Sequence, residues 1–576
     1  MKPSHHTHTT TFLFLLLLIC VTPGFAQKVS TQWENGKPKS EIEFKDGVQH
    51  GSYTTWYENG NMMKQGRFKE GREEGIWKSW YKTGQLRSLE HYQHGRADSV
   101  WTYYYTGGQV SELQYFLNGF ADSTWQTWHE NGKQKSEEQY HLGKRNGTYI
   151  NWYDNGQKEN EGAFKNDTLD GHFTLWYRDG NKEQEGAFDM GKKSGVWLTW
   201  YTSGQQKDEV RYVDNKEDGL LAFWDQNGKQ WVKDGNGTMV ELYPNGKPSR
   251  KKPYGNGKLN GEAQRYNEEG SVIESAQYKD GKLEGPFYAK YPDGTQQAEG
   301  NYHADKKKGT WTWWFENGKV DMEGDFEADL RTGLWKYNYD DGSKKSEGSF
   351  QKDMQEGDWT FWYRNGQMWK KGSYHENLKS GMWTWWFEGG QKMQEGPFMN
   401  DREEGDWISW YESGKVKDKG SFKAGIMDGH WEGWYENGKP NYAGDYANKV
   451  KTGLWSYWYE KGNKEKEGTY KEGIQDGTWT YWFEDGKTKS TETFRNGTKD
   501  GTCTYWYGNG NKFQEDHYVN GRLEGTRTTW YEYGNVVRDK GPYKNGVQDG
   551  LHTYYDEKGN VVKKVWFKNG IKVKQE

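Results

Sequence analysis

The chain has 576 residues, with 79 Lys and Arg against 84 Asp and Glu, so its net charge is −5 and both signs are interleaved along its length. No basic footprint for nucleic acid appears. A mean hydropathy of −1.26 would suit disorder only if material for burial were lacking; 17% of the residues are aromatic, and the chain is expected to fold.

At the N-terminus, Lys2 precedes an apolar run from Phe12 to Val21, followed by Pro23, Gly24, Phe25 and Ala26. Small residues stand at positions −3 and −1 of a cut after Ala26, so residues 1–26 read as a cleaved secretory leader. A membrane anchor needs about 20 apolar residues, which this run does not supply. Lipidation at Cys20 would need a small residue before it, and Ile19 is not small. Removing the leader leaves Cys503 as the one cysteine, so the exported chain has no internal disulfide. The expected destination is a bacterial periplasm, cell surface or medium, with no transmembrane segment after cleavage.

From there one unit repeats. The glycine of its WYENG segment recurs every 24 residues from Gly36 to Gly228, restarts at Gly246, keeps the same step to Gly534, and closes at Gly559 after 25, giving 23 copies. The expected organisation is a first hairpin array over 27–228, a shortened and degenerate repeat over 229–260 that reads as a seam, and a second array over 261–576 ending in a C-terminal cap. Around the seam the aromatic positions are lost at Met239, Leu242, Ala263 and Lys290. The extra residue before Gly559 falls in NVVRDKGPY, where it is expected to be absorbed as a β-bulge.

Each unit reads as strand, turn, strand, turn. Aromatic and Thr-rich runs such as LWSYWYE favour strands, and the Asn-Gly, Asp-Gly and Lys-Gly pairs after them read as two-residue hairpin turns. If Lys461 and Gly462 form such a turn, Glu460 faces Asn463, and counting back places Trp455 opposite Gly468. An aromatic holds the Trp455 position in sixteen copies, and in eleven the counted partner is glycine, as in Trp311 with Gly324, Trp335 with Gly348 and Trp383 with Gly396. Where the position is Leu221, Met239, Ala263, Cys503, Arg527 or His552, the counted partner is never glycine. A strand glycine is costly unless a ring covers its bare backbone, so each ring is expected to cover its cross-strand glycine. The fold class expected is all-β, an extended, open, coiled antiparallel meander of about 23 stacked 24-residue hairpins.

Alternation puts Trp455, Tyr457, Tyr459, Gly468 and Tyr470 on one face, expected buried, and Trp458 on the other, expected wet. Of 34 tryptophans, 12 occupy the Trp455 column and 16 the Trp458 column. The wet column supplies the candidate binding ladder: Trp314, Trp362, Trp386, Trp410, Trp434, Trp458 and Trp482. Its plain alternative is that these rings shield the sheet and support neighbouring Lys stems through cation–π contacts.

Units such as WYENGKPKSEIEFKDGVQHG and WYEKGNKEKEGTYKEGIQDG resemble the MORN-repeat variant family, over nearly all of residues 31–576. The resemblance implies stacked hairpins that act in binding or scaffolding, with no catalytic residues; bacterial members are often described as antitoxin components of toxin–antitoxin systems. A second resemblance, to the aromatic-rich repeats of bacterial choline- and glucan-binding modules, ranks lower because those repeats are shorter and lack the EGxY segment.

Other constellations read structurally. His91 and His94, three apart on a strand, point to opposite faces and make no metal pair. Cys503 replaces a ladder ring as a small buried filler. Acids precede the closing glycine at Glu356, Glu404, Asp428, Asp476 and Asp500; their repeat of about 10 Å approaches the separation used by inverting glycosidases, but they read as turn-favouring residues. Sequons at Asn146, Asn166, Asn236 and Asn496 matter only in a eukaryotic secretory route. The expectation is therefore a non-enzymatic exported repeat protein, without cofactor or metal, presenting an extended surface to a protein partner. The alternatives are envelope glycan or lipid binding through the Trp ladder and an antitoxin-type neutralising partner.

Overall fold

The computed structural model describes residues 26–576. The expected leader, apart from Ala26, and Cys20 with it, lie outside the described residues. Among these, every regular element is a strand. The chain clusters into two compact units, one running through Gly270 and including Tyr278–Lys282, the other comprising Ser271–Gln277 and Leu283–Glu576. In both, strands pair antiparallel with their neighbours in sequence, an open meander of hairpin repeats.

The strand register is the expected one, but the turns are not. Trp455 pairs with Gly468, and likewise Trp311 with Gly324, Trp335 with Gly348 and Trp383 with Gly396. The turn after the aromatic run holds three residues, however: the Gly462 amide donates to the Tyr459 carbonyl and the Tyr459 amide to the Asn463 carbonyl, with Gly462 at φ +98°. Tyr459, not Glu460, faces Asn463. A bulge then sets Trp458 opposite Lys464, and this restores the counted register. The turn with three loop residues and a left-handed glycine twists the strands in the sense the sheet requires. The two-residue turns lie at the other end of the unit, where Glu472 and Gly473 both have positive φ and Lys471 pairs with Ile474.

A second bulge accounts for the glycine two residues before the ring, as in Gly453 before Trp455. Between Pro440–Ala447 and Val450–Trp458, Ala443 pairs with Ser456 but Asp445 pairs with Thr452, so Gly444 faces the extra residues 453–455. Gly453 takes φ +65° there. Bulges re-aim side chains, and this one tips Trp455 back across the preceding hairpin.

The tryptophan ring therefore does not cover its own cross-strand glycine, although Tyr149 of the first unit does lie against its partner Gly162. Trp455 lies on Gly444, eleven residues earlier, where any Cβ would overlap the indole; Gly468 lies beneath Trp479, Gly372 beneath Trp383, and Gly396 beneath Trp407. The indole N–H reaches the carbonyl ten residues back, as from Trp455 to Asp445 at 3.0 Å and from Trp383 to Ser373 at 3.1 Å. Tryptophans seated on glycine are buried, Trp383 to 0% exposure and Trp455 to 1%. Trp101 and Trp125, which stand eleven residues after Glu90 and Gln114, are only half-buried.

The extra residue near Gly559 is taken up in a turn, not in a strand. The Tyr531 amide donates to the Val536 carbonyl across a loop one residue longer than usual, and Trp530 pairs with Val537. Downstream pairing moves by one, so Arg527 faces Gly541, contrary to the counted partner. Between Gly228 and Gly246 the missing residues come from the strands: the return strand is Gln230–Lys233 and its successor Asn236–Leu242, against Lys464–Lys471 and Ile474–Trp482 in a regular unit.

Candidate functional site

All seven tryptophans of the candidate ladder are half-buried, so the expected wet face is only partly wet. The main chains of six of them are tied to the repeat before; at Trp410 the corresponding residue is Phe387, which has no hydroxyl. Tyr435 donates its hydroxyl to the Trp458 carbonyl at 2.7 Å and Tyr459 to that of Trp482 at 2.9 Å. The same bond reaches Trp314, Trp362, Trp386 and Trp434. The WY dipeptide thus has two tasks, a ring for its own unit and a hydroxyl that ties the next. Half of the turn signature does likewise: Asn437 donates its Nδ2–H to the Glu460 carbonyl at 2.7 Å, and Asn365 to that of Glu388 at 3.0 Å.

Lysines cover some of these rings. Lys344 Nζ lies 5.1 Å from the centre of Trp362, Lys392 5.5 Å from Trp410, and Lys464 5.8 Å from Trp482. The same lysines pair with Glu347, Glu395 and Glu467. At Trp386, Trp434 and Trp458 the corresponding positions are Met368, Val416 and Pro440, and no cation lies over those rings among the described residues.

Thirteen segments match the MORN repeat variant: residues 28–46, 49–70, 73–94, 145–166, 259–280, 307–328, 331–352, 355–376, 403–424, 427–448, 451–472, 475–496 and 499–520. The chain is a protein of MORN repeats. No curated protein matches it. Among solved structures it is similar to TcdB2-TccC3, at 10% identity and TM-score 0.12 over 95% of this chain and 34% of that one. It is also similar to the Tc holotoxin pore of Photorhabdus luminescens, at 10% identity and TM-score 0.11 over 94% and 32%. It spans about a third of the length of these solved chains, and likeness at such scores carries no argument.

Within the MORN repeats the acids before the closing glycine hold the next unit's turn. Glu404 accepts the Ala424 amide at 2.7 Å, Asp428 the Asn448 amide at 3.1 Å, and Asp476 the Asn496 amide at 3.2 Å. Glu356 accepts both the Glu376 amide and His375 Nδ1 at 3.0 Å. The hydrogen bond from His375 holds the Glu356 carboxyl below its usual range, while Asp500 stands 3.9 Å from Arg495. His91 Nδ1 lies 4.0 Å from Asp98, and the His94 amide donates to Glu74 at 2.9 Å. Among the described residues no group of three or more His, Cys, Asp or Glu is placed to hold a metal ion, and no helix is long and apolar enough to cross a membrane.

The face missed as a candidate surface is the Trp455 face. Lysines lie over its rings: Lys307 Nζ is 5.0 Å from Trp311 and 5.4 Å from Trp313, and Lys451 is 4.1 Å from Trp455. Burial, with Lys466 nearby, pushes the Lys451 ammonium below its usual pKa. The signal in the sequence is the Tyr457 column, where Trp313, Tyr337, Phe361 and Trp385 follow at 24-residue steps, a column mixed in ring type and so not marked by tryptophan alone. At the shortened repeat, clefts of about 540 Å³ and 660 Å³ open beside Gly219 and Gly257 and beside Asp225 and Leu242.

Proposed function

We propose that this protein is a non-enzymatic binding scaffold, exported from a bacterial cell and presenting its stacked repeats to a protein partner. One observation carries the reading: side chains with chemistry recur at 24-residue steps and are engaged in joining one MORN repeat to the next, as the Tyr435, Asn437 and Asp428 contacts do. Such an array offers the same chemistry many times over, and joined weak sites gain avidity without new contacts. The leader-like start supports a periplasmic, cell-surface or secreted place. Neutralising a toxin would be one form of partner binding.

A second reading is an envelope glycan or lipid stacked on the Trp458 column. The uncapped rings of Trp386, Trp434 and Trp458 favour it. Affinity capture from envelope extract, comparing the parent with Trp410→Ala plus Trp434→Ala, tests both. A protein recovered equally by parent and variant supports the first reading; glycan recovery that grows with chain length and is lost in the variant supports the second. Capture of nothing by the folded parent overturns the scaffold.

A further inference from the structure

In the second unit the rings on the Trp455 face form a nearly continuous stack. A ring of the Tyr457 column lies between successive rings of the Trp455 column: Trp313 stands 5.6 Å from Trp311 and 6.0 Å from Trp335. Trp385 stands 5.7 Å from Trp383 and 5.9 Å from Trp407. Between Trp385 and Tyr457 the column has no ring at residues 409 and 433. The gap at Gly433 is filled from the return strand by Tyr442, which lies 6.1 Å from Trp455 at an interplanar angle of 17°; a Cβ at residue 433 would overlap it. The gap at Ser409 is not filled. A cavity of about 230 Å³ lies there, walled by Trp407, Trp431, Phe422, Glu403 and Asp418.

Three observations mark this rung apart. Trp383, Trp455 and Trp479 are 0–1% exposed, whereas Trp407 and Trp431 are both 8% exposed. The two columns that flank the rings carry cations elsewhere, Lys379 near Trp385 and Lys370 over Phe361; here they carry Glu403 and Asp418. Glu403 is half-buried and has no ion pair among the described residues, while Asp418 accepts Ser409 Oγ–H at 3.1 Å and the Tyr442 hydroxyl at 2.7 Å. Finally, in this unit the Nε1–H of Trp407 is buried without a partner, as is that of Trp77 in the first unit, although that of Trp431 donates to the Ser421 carbonyl at 3.1 Å.

We propose that the empty rung at Ser409 is a binding slot for an arginine side chain presented by a partner polypeptide, an inference that rests on the scaffold reading. The guanidinium is planar, stacks on indole faces, and forms charge-assisted bonds with carboxylates. Glu403 and the free lone pairs of Asp418 supply the acceptors, and Trp407 and Trp431 supply the flat walls. A peptide-borne arginine also brings backbone groups that can bond along the slot's rim, which a free cation lacks.

Calorimetric titration of the full chain with acetyl-Gly-Arg-Gly-amide, the matched citrulline peptide and ethylguanidinium tests the slot. The arginine peptide is expected to bind at least tenfold more tightly than either, and Glu403→Gln to lose about tenfold with an unchanged melting temperature. Ser409→Trp should fill the gap, abolish binding and raise the melting temperature. Equal binding of arginine and citrulline peptides, or undiminished binding to Glu403→Gln, overturns the cation slot; ethylguanidinium binding as tightly as the peptide overturns the polypeptide source. If the slot fails while the parent still captures a protein from envelope extract, the scaffold reading stands without it.

Discussion

Two stretches of the second unit build the same rung from different chemistry. From Lys306 to Phe398 each rung seats a tryptophan on glycine, Trp311 on Gly300 through Trp383 on Gly372. From Gly501 to Val565 the ring column reads Cys503, Arg527 and His552, standing eleven residues after Glu492, Asp516 and Gly541. Arg527 reaches Asp516 with Nε–Oδ1 at 2.7 Å and Nη2–Oδ2 at 3.0 Å, and His552 covers Gly541 with Nε2 2.9 Å from the Pro542 carbonyl. The eleventh-residue seat survives the change of side chain at Arg527 and His552, and the tenth-residue carbonyl is still used at His552. The bulge and register therefore set where the side chain leans, and the chemistry must only match its seat: a large ring needs bare backbone, a guanidinium needs a carboxylate.

The largest expected effect lies in the regular stretch. Trp383→Ala should cost about 3 to 5 kcal/mol by core truncation, read by denaturant unfolding. Adding Gly372→Thr, a β-former at the vacated seat, should recover part of the loss. Gly396→Thr in the parent should destabilise, since its side chain would enter Trp407. Recovery by Gly396→Thr instead of Gly372→Thr would show that rings cover their cross-strand partners after all.

In the C-terminal stretch, Asp516→Ala strands a half-buried guanidinium and should cost about 2 to 4 kcal/mol, the range for breaking a buried pair reduced for the partly exposed Arg527. Combining Asp516→Gly with Arg527→Trp should restore most of that stability by installing the regular rung. A combined variant no better than Asp516→Ala would mean the two stretches do not share one geometry.

A smaller effect, dependent on pH, belongs to His552. Burial lowers its folded pKa below the ordinary 6.5, so the unfolded chain binds the proton more readily. The stabilisation is complete above about pH 6.5 and is lost as pH falls through the lower, folded value. Melting curves near neutrality and near about pH 5 should separate in the parent and converge in His552→Phe; equal separation in both would remove His552 from the comparison. The smallest effect is Tyr435→Phe, about 0.5 to 1.5 kcal/mol for the lost bond to the Trp458 carbonyl. Hydrogen exchange should show loosening at that junction, and unchanged protection there would mean the hydroxyl does not couple repeats.

The strand register was legible because the 24-residue repeat aligns ring and glycine columns, and counting from a two-residue turn reaches the same pairing: the three-residue loop and the bulge at Trp458 cancel. The candidate ladder was legible as a column, but its half-burial was not, because Tyr hydroxyls and Lys stems reach it from the preceding repeat. The slot at Ser409 was invisible, since one serine in a variable column gains meaning only between two stacked indoles.

By itself, the sequence determined the strand order, the hairpin pairing, the spacing of turns and the two tryptophan columns, since these follow from alternation and from glycine's access to positive φ, both local properties. Only the tertiary structure decided which glycine each ring covers and which rung stays empty. The bulge at Gly453 tips the indole across a strand boundary, and contact between successive hairpins, not pairing within one, settles where it comes to rest.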